Sequence, residues 1–367
     1  FLSNYEGPSS IHISNNKTKI TLKNKKQNFS LEYEGDIEIS DDDSDIIGIS
    51  RGGYFKLQTT AFGGKRRVTI EPDRQGKLIR QYKEGRSEKP YYPNGKAFLA
   101  EVLPDIIRST TLGAKERVNK IINKGGPNAL IEELFKIESD HALTKYTNLA
   151  FDHADFPESL YSKLINTAAE KIESHHYLTE VLTENRRRLI TSNNAITSYI
   201  KAAQNLESDH YRTEVLTEII SNRNIDNAQF VLLLKMVDDI DSDHYRSEVL
   251  LEIIDEKELD NEGVDIFIQL LSQIDSDHYK SEVLSETLGR TRFSNSQNTA
   301  LIKTIDQIES AHYKSEVLSE LIDRSNLDAT NLREVLNILS TINSDHYLTE
   351  VIQEIADRNL DSESIDL

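Results

Sequence analysis

The sequence predicts an α+β chain with an N-terminal antiparallel β domain followed by an α-α superhelix, or α-solenoid, of about seven 34-residue two-helix repeats. Two observations carry this reading. Residues 11–82 alternate apolar and polar residues in short runs between turn signals, as half-buried strands do. From residue 137 one phrase recurs seven times, first as Ile-Glu-Ser-Asp-His at 137–141 and last as Ile-Asn-Ser-Asp-His-Tyr at 342–347. Its His falls at 141, 176, 210, 244, 278, 312 and 346, spaced by 35 once and then by 34. A fixed period of that length marks stacked helical repeats.

The β domain spans 1–90. Strands are expected at Ile11–Ile13, Lys19–Leu22, Phe29–Tyr33, Asp36–Ile39, Tyr54–Thr59, Arg67–Ile70 and Lys77–Tyr82. Glu34-Gly35-Asp36, the acidic run 41–45, Gly52-Gly53 and Gly63-Gly64 supply the turns. The acidic run reads as a solvated turn, since it lacks the spaced ligands and glycine of a calcium loop. Lys65-Arg66-Arg67 reads as an exposed hairpin edge rather than an anion-binding patch.

A helical junction covers 91–124. Tyr91–Gly95 reads as a linker. A helix starts near Ala97, and Pro104 should kink or restart it. A second helix, about 114–123, leads to Gly125-Gly126-Pro127, which opens the repeats at 125–367.

Each repeat is expected to hold two helices. The first runs roughly 227–239 in one copy, with Asp226 as N-cap and Ile225 and Phe230 as a hydrophobic staple. Leu259/Asp260/Val264 and Leu327/Asp328/Leu332 repeat that arrangement. The second begins at the Ser of the phrase, as at Ser208, Ser242 and Ser276, whose hydroxyl is expected to accept from a first-turn N–H. The following Asp suits the positive end of the helix dipole. Leu360–Leu367 looks like the start of another first helix, either capping the solenoid or leading into further chain.

The second helix keeps His-Tyr-x-Ser/Thr-Glu-Val-Leu/Ile-x-Glu in six copies. With His244 at zero and about 100° per residue, Tyr245, Val249, Ile253, Leu250 and Ile254 lie between roughly 100° and 280°, the expected buried face. His244, Glu248 and Glu252 lie opposite, between roughly 0° and 80°. Stacking aligns such residues into a stripe. Its candidate binding residues are Glu180, Glu214, Glu248, Glu282, Glu316 and Glu350 with His210, His244, His278 and His312. Tyr211, Tyr245 and Tyr279 read as structural, as a packed ring whose hydroxyl finds a partner. The first copy departs, with Ala142 for Tyr and Lys145 for Glu.

Charge is uneven. Residues 1–100 carry 17 Lys+Arg against 13 Asp+Glu, a balance of +4, which leaves −23 of the total −19 to residues 101–367. So acidic a solenoid repels phosphate backbones, and nucleic acid is not an expected partner. A protein or peptide is, a basic one included. The chain has no cysteine, which removes disulfides and thiolate sites. It shows no apolar run of the roughly 20 residues that cross a bilayer, and Phe1 reads as the start of a processed or trimmed chain.

Motifs of catalysis are missing: no His-Glu-x-x-His, no Gly-x-Ser-x-Gly and no phosphate-binding Gly-rich loop. His153 and the pair His175-His176 stand beside no evident nucleophile. His and Glu four apart suggest metal, but helices about 8–10 Å apart cannot share an ion needing ligands at about 2 Å. Neither a metal, a cofactor nor a catalytic residue is expected.

The period is that of tetratricopeptide repeats without their residue pattern, and the layout is closer to HEAT-like repeats. Asp41–Lys56, Phe98–Arg108 and the Ile-x-Ser-Asp-His/Tyr repeats are similar to segments of uncharacterised bacterial envelope proteins. In that group an adhesin-like β region precedes helical repeats, and some relatives are fused to membrane metallopeptidases resembling the beta-lactam sensor regulators. The resemblance covers roughly 30–367. It implies an exported, periplasmic or envelope setting and a sensing or scaffolding role, and it brings no catalytic residues. Where relatives have Tyr after the Asp, this chain has His. The expected function is a non-enzymatic binding scaffold acting through the repeat surface. The alternatives are a regulatory sensor whose β domain binds a ligand, and a hydrolase with a dispersed site at the domain junction.

Overall fold

A computed structural model describes residues 9–14, 17–23, 27–61, 64–221 and 225–357. Gly63 of one expected turn and the stub from Leu360 lie outside the described residues. The chain forms an antiparallel sheet followed by an α-solenoid. Two compact units divide it, 1–177 and 178–367.

In the first unit, β1 (Ser9–Ser14), β2 (Lys17–Lys23), β3 (Gln27–Glu34), β6 (Tyr54–Ala61), β7 (Gly64–Pro72), β8 (Leu78–Glu84) and β9 (Ser87–Lys89) form one antiparallel sheet in that order. A separate hairpin, β4 (Ile37–Ile39) with β5 (Ile46–Ile49), is inserted between β3 and β6. Alternation puts Phe29, Leu31, Tyr33, Phe55, Leu57, Val68, Ile70 and Tyr82 on one buried face. There they share a core with Phe98, Leu99, Val102, Leu103, Ile106 and Ile107 of α1 (Lys96–Ser109).

Several expectations need correction. The sequence missed β5, whose Ile-Ile-Gly-Ile lacks alternation, and β9, whose three residues are all exposed. Lys65-Arg66-Arg67 is no edge, because β7 lies between β6 and β8. Arg66 pairs with Glu101 at 2.8 Å and lies over the Phe98 ring, and Arg67 donates to Gln58. Pro104 sits inside an unbroken α1, whose apolar stripe is fully buried. Burial of that stripe outweighs the one backbone bond that proline forgoes. Tyr91 is not linker but core, and its hydroxyl donates to Asp45 at 2.5 Å.

The acidic run is a turn as expected, with Asp41 and Asp42 exposed, but it is solvated only in part. Asp45 is 5% exposed and also accepts from the N–H of the next residue, Ile46. Asp42 accepts from Ser40 and Ser44, bonds that hold its carboxyl well below the usual range. Asp43, at φ 54, meets Arg117, and Asp41 meets Lys120 and Lys124. These cations stand on α2 (Ala114–Leu134), which is broken at Gly126 (φ 77), where a residue with a Cβ is disfavoured.

The solenoid pairs follow. The first is the end of α2 with α3 (Asp140–Asp152), and the second is α4 (Tyr161–Lys171) with α5 (His175–Leu189). Then come α6 (Asn193–Ala203) with α7 (Asp209–Ile220), α8 (Asn227–Asp238) with α9 (Asp243–Glu256), and α10 (Asn261–Ser272) with α11 (Asp277–Arg290). The last are α12 (Asn295–Asp306) with α13 (Ala311–Arg324), and α14 (Ala329–Leu339) with α15 (Asp345–Asp357). In the second unit the first helices α6, α8, α10, α12 and α14 pack in one row. The second helices α7, α9, α11, α13 and α15 pack in another. Asp226, Ser294, Asp260 and Asp328 cap the first helices, the first two as reciprocal boxes with Gln229 and Gln297. No helix among the described residues is long and apolar enough to cross a membrane.

Candidate functional site

The Ser of the phrase stands at the N-cap position, but in α7, α9, α11 and α13 its hydroxyl caps nothing. The Asp of the preceding repeat instead binds the backbone N–H of that Ser itself. Asp209 accepts from the Ser242 N–H at 2.9 Å, Asp243 from Ser276 at 2.7 Å, and Asp277 from Ser310 at 2.7 Å. Asp243 and Asp277 also take the N–H of the residue before. These charged acceptors satisfy the N-cap residue's own N–H, a different donor from the first-turn N–H that a Ser hydroxyl would cap. Ser242→Ala is accordingly expected to shift stability by less than about 0.5 kcal/mol. Asp243→Ala should cost about 1–2 kcal/mol. Urea unfolding of the two variants side by side checks this, and equal losses would refute it.

Beside the same turns stand buried cations two places after His210, His244, His278 and His312. Arg246 is 7% exposed and donates to the carbonyls of Ile240 (2.6 Å) and Gln273 (3.0 Å). Arg212 donates to the Asp239 carbonyl. Lys280 reaches Gln307, and Lys314 reaches the Asp306 carbonyl and Thr341. Each sits at the C-terminal end of first helices, where carbonyls lack partners and the dipole favours cations. Burial lowers the Lys280 pKa, although the carboxylates of Asp275, Asp277 and Asp243 oppose it. Sequence reasoning passed over this column, yet the same wheel that buries Val249 and Leu250 puts Arg246 at about 200°, in the middle of the buried face.

The expected stripe is where the wheel put it. In the second unit His210, His244, His278 and His312 are exposed, as are Glu214, Glu248, Glu282, Glu316 and Glu350, whereas Glu180 is half-buried. The tyrosines differ from expectation. Tyr211, Tyr245 and Tyr279 are only half-buried, and they join the histidines in one continuous ladder. Each His ring lies 5.1 Å from the Tyr after it. The Tyr of the next repeat lies 5.8 Å from His210, 5.5 Å from His244, 5.9 Å from His278 and 5.4 Å from His312. Within the first unit, His141 and His176 both contact Tyr177. At 100° the Tyr lies on the border between faces, and the neighbouring His leaves it half in solvent.

Among the described residues no three His, Asp or Glu side chains come close enough to hold a metal ion. The first unit holds a separate cavity of about 420 Å³ between the β4–β5 turn and α2. Glu38, Asp41, Asp43, Arg117, Lys120 and Lys124 line it. Comparison of the chain with models of known families, with curated proteins and with solved structures finds no match.

Proposed function

We propose that this protein is a non-enzymatic scaffold that binds a protein or peptide along the outer face of its second helices, in the cell-envelope setting that the resemblance above implies. The carrying observation is the recurrence, repeat after repeat, of an exposed glutamate beside an exposed His and a half-exposed Tyr. Packing does not require these glutamates, since the buried cations, the Asp bonds and the apolar rows already join the repeats. Their negative charge favours a basic partner and speeds its encounter.

The test changes Glu214, Glu248, Glu282 and Glu316 to alanine together. Far-ultraviolet circular dichroism and melting should be nearly unchanged. Crosslinking to envelope fractions should lose a partner that the intact chain captures. Retention of that partner by the variant would overturn the reading.

The cavity beside the acidic turn favours a second reading, a sensor module whose first unit takes a small ligand. Its charged lining of both signs suits a zwitterionic molecule. Thermal shift of the intact chain and of Lys120→Ala against zwitterionic metabolites tests it, the shift being absent from the variant.

A further inference from the structure

The outer face repeats its charges except in the fourth pair. Glu218, Glu252, Glu286 and Glu320 stand one turn beyond the exposed glutamates and are half-buried. Three of them have a cation from their own chain. Arg186 pairs with Glu218, Arg290 with Glu286 at 2.5 Å, and Arg324 with Glu320 at 3.8 Å. Among the described ion pairs Glu252 has none. The position that holds Arg290 and Arg324 in the fifth and sixth pairs is Glu256 in the fourth, a reversal of charge. Arg290 reaches back to Asp255 at 2.8 Å and stops there. Burial first, then the charges of Glu256, Asp255 and Glu248, raise the Glu252 pKa. Among the described ion pairs, Glu252 thus lacks the cation that Glu218, Glu286 and Glu320 have, and the nearby Lys257 interacts with Glu256 instead.

The spacing of the face narrows what supplies that cation. Helices packed side by side lie about 8–10 Å apart, so one glutamate and one His/Tyr pair recur at that interval. A polyproline II segment has three residues per turn and rises about 3.1 Å per residue. It returns a side chain to the same side about every 9 Å. A β-strand does so about every 6.6–6.8 Å and falls out of step. Surfaces lined with aromatic rings are also what polyproline II ligands dock against.

We propose that the ladder is a docking surface for one extended segment in polyproline II conformation with Lys or Arg at every third position, one of these cations seated between Glu248, Glu252 and Glu256. This rests on the reading of the glutamate row as a partner-binding face, and adds the partner's conformation, spacing and anchor. Charge complementarity supports it. The row is acidic at every repeat from α7 to α15, and Arg186, Arg290 and Arg324 at its margin are already paired.

The experiment measures fluorescence anisotropy of labelled peptides with the intact chain at low salt. Each peptide carries five lysines, separated by one, two or three prolines, and a fourth is a helical peptide with lysines seven apart. The two-proline spacing is expected to bind about tenfold more tightly than the others. Glu256→Arg, which installs the residue native to the next two repeats, should weaken that peptide about tenfold. Glu334→Arg, an equal charge change on the exposed side of α14, should not. Equal affinity for all spacings, or preference for the helical peptide, overturns the proposal. So does a Glu256→Arg effect no larger than that of Glu334→Arg. If all spacings bind equally and the four-glutamate alanine variant weakens all of them, the binding face stands and only its register fails. If no cationic peptide binds, the proposal falls, and the crosslinking comparison decides separately whether the row binds a partner.

Discussion

Arg117→Met is expected to loosen the β4–β5 hairpin and to cost the first unit about 3–5 kcal/mol. Arg117 is 8% exposed and joins two acids distant in sequence, Asp43 at 2.8 Å and Glu133 at 3.0 Å. Burial opposes its charge, but the bond to Asp43 and the charges around it prevail and hold its pKa above the ordinary arginine value. Methionine fills much of the volume and removes both ion pairs. Glu133 retains Arg108 and Lys136, but Asp43 would keep its left-handed backbone conformation with no cation to hold it. Breaking one side of a buried pair is costly because the survivor stays desolvated. Hydrogen exchange of the amides of 37–49 reads the loss directly. Unchanged protection there would show that the turn is held without Arg117, by its serines, Tyr91 and the lysines of α2.

The same network sets a pH dependence. Burial alone would raise the Glu133 pKa, but Arg117, Arg108 and Lys136 together hold it below the ordinary glutamate value. A carboxyl depressed in the folded state stabilises the fold fully above its unfolded pKa of about 4.3, and that stability is lost as pH falls through the folded value. The first unit should therefore weaken on acidification below about pH 5, and Glu133→Gln should flatten that slope.

Most of the solenoid was legible because its signals are local and repeated. The 34-residue period, the caps at Asp226 and Asp260, and the surface phase of Glu248 all reflect where a side chain sits on its own helix. What escaped depends on neighbours. Ser242 looks like a cap in isolation, but its hydroxyl caps nothing, and the bond that joins its turn to the preceding repeat runs from its own N–H to Asp209, which only stacking reveals. Lys65-Arg66-Arg67 looks like an edge until β8 is paired beyond it. The acidic run looks solvated until α2, over seventy residues later, supplies Arg117 and Lys120. The charge reversal at Glu256 was visible in the repeats, but its meaning waited on the pairing of Arg290 with Glu286 and Asp255.

Arg246→Met is expected to cost about 2–4 kcal/mol, and Arg246→Lys to restore most of it. The guanidinium is nearly enclosed and its donors run to two repeats at once, the Ile240 carbonyl of its own and the Gln273 carbonyl of the next. Methionine keeps the packing but leaves both carbonyls without this donor, and a buried acceptor without a partner bears its full desolvation cost. Lysine is a fair replacement because Lys280 and Lys314 hold the same place in the following repeats, each reaching the next turn with one ammonium. The loss should also be confined. Repeat arrays are stabilised by nearest-neighbour interfaces, so hydrogen exchange should rise around 238–243 and 272–277 while α13 and α15 change little. A methionine variant as stable as the parent would mean that apolar burial alone joins these repeats. A variant that loosened every repeat equally would mean that the array unfolds as one cooperative body rather than as coupled neighbours.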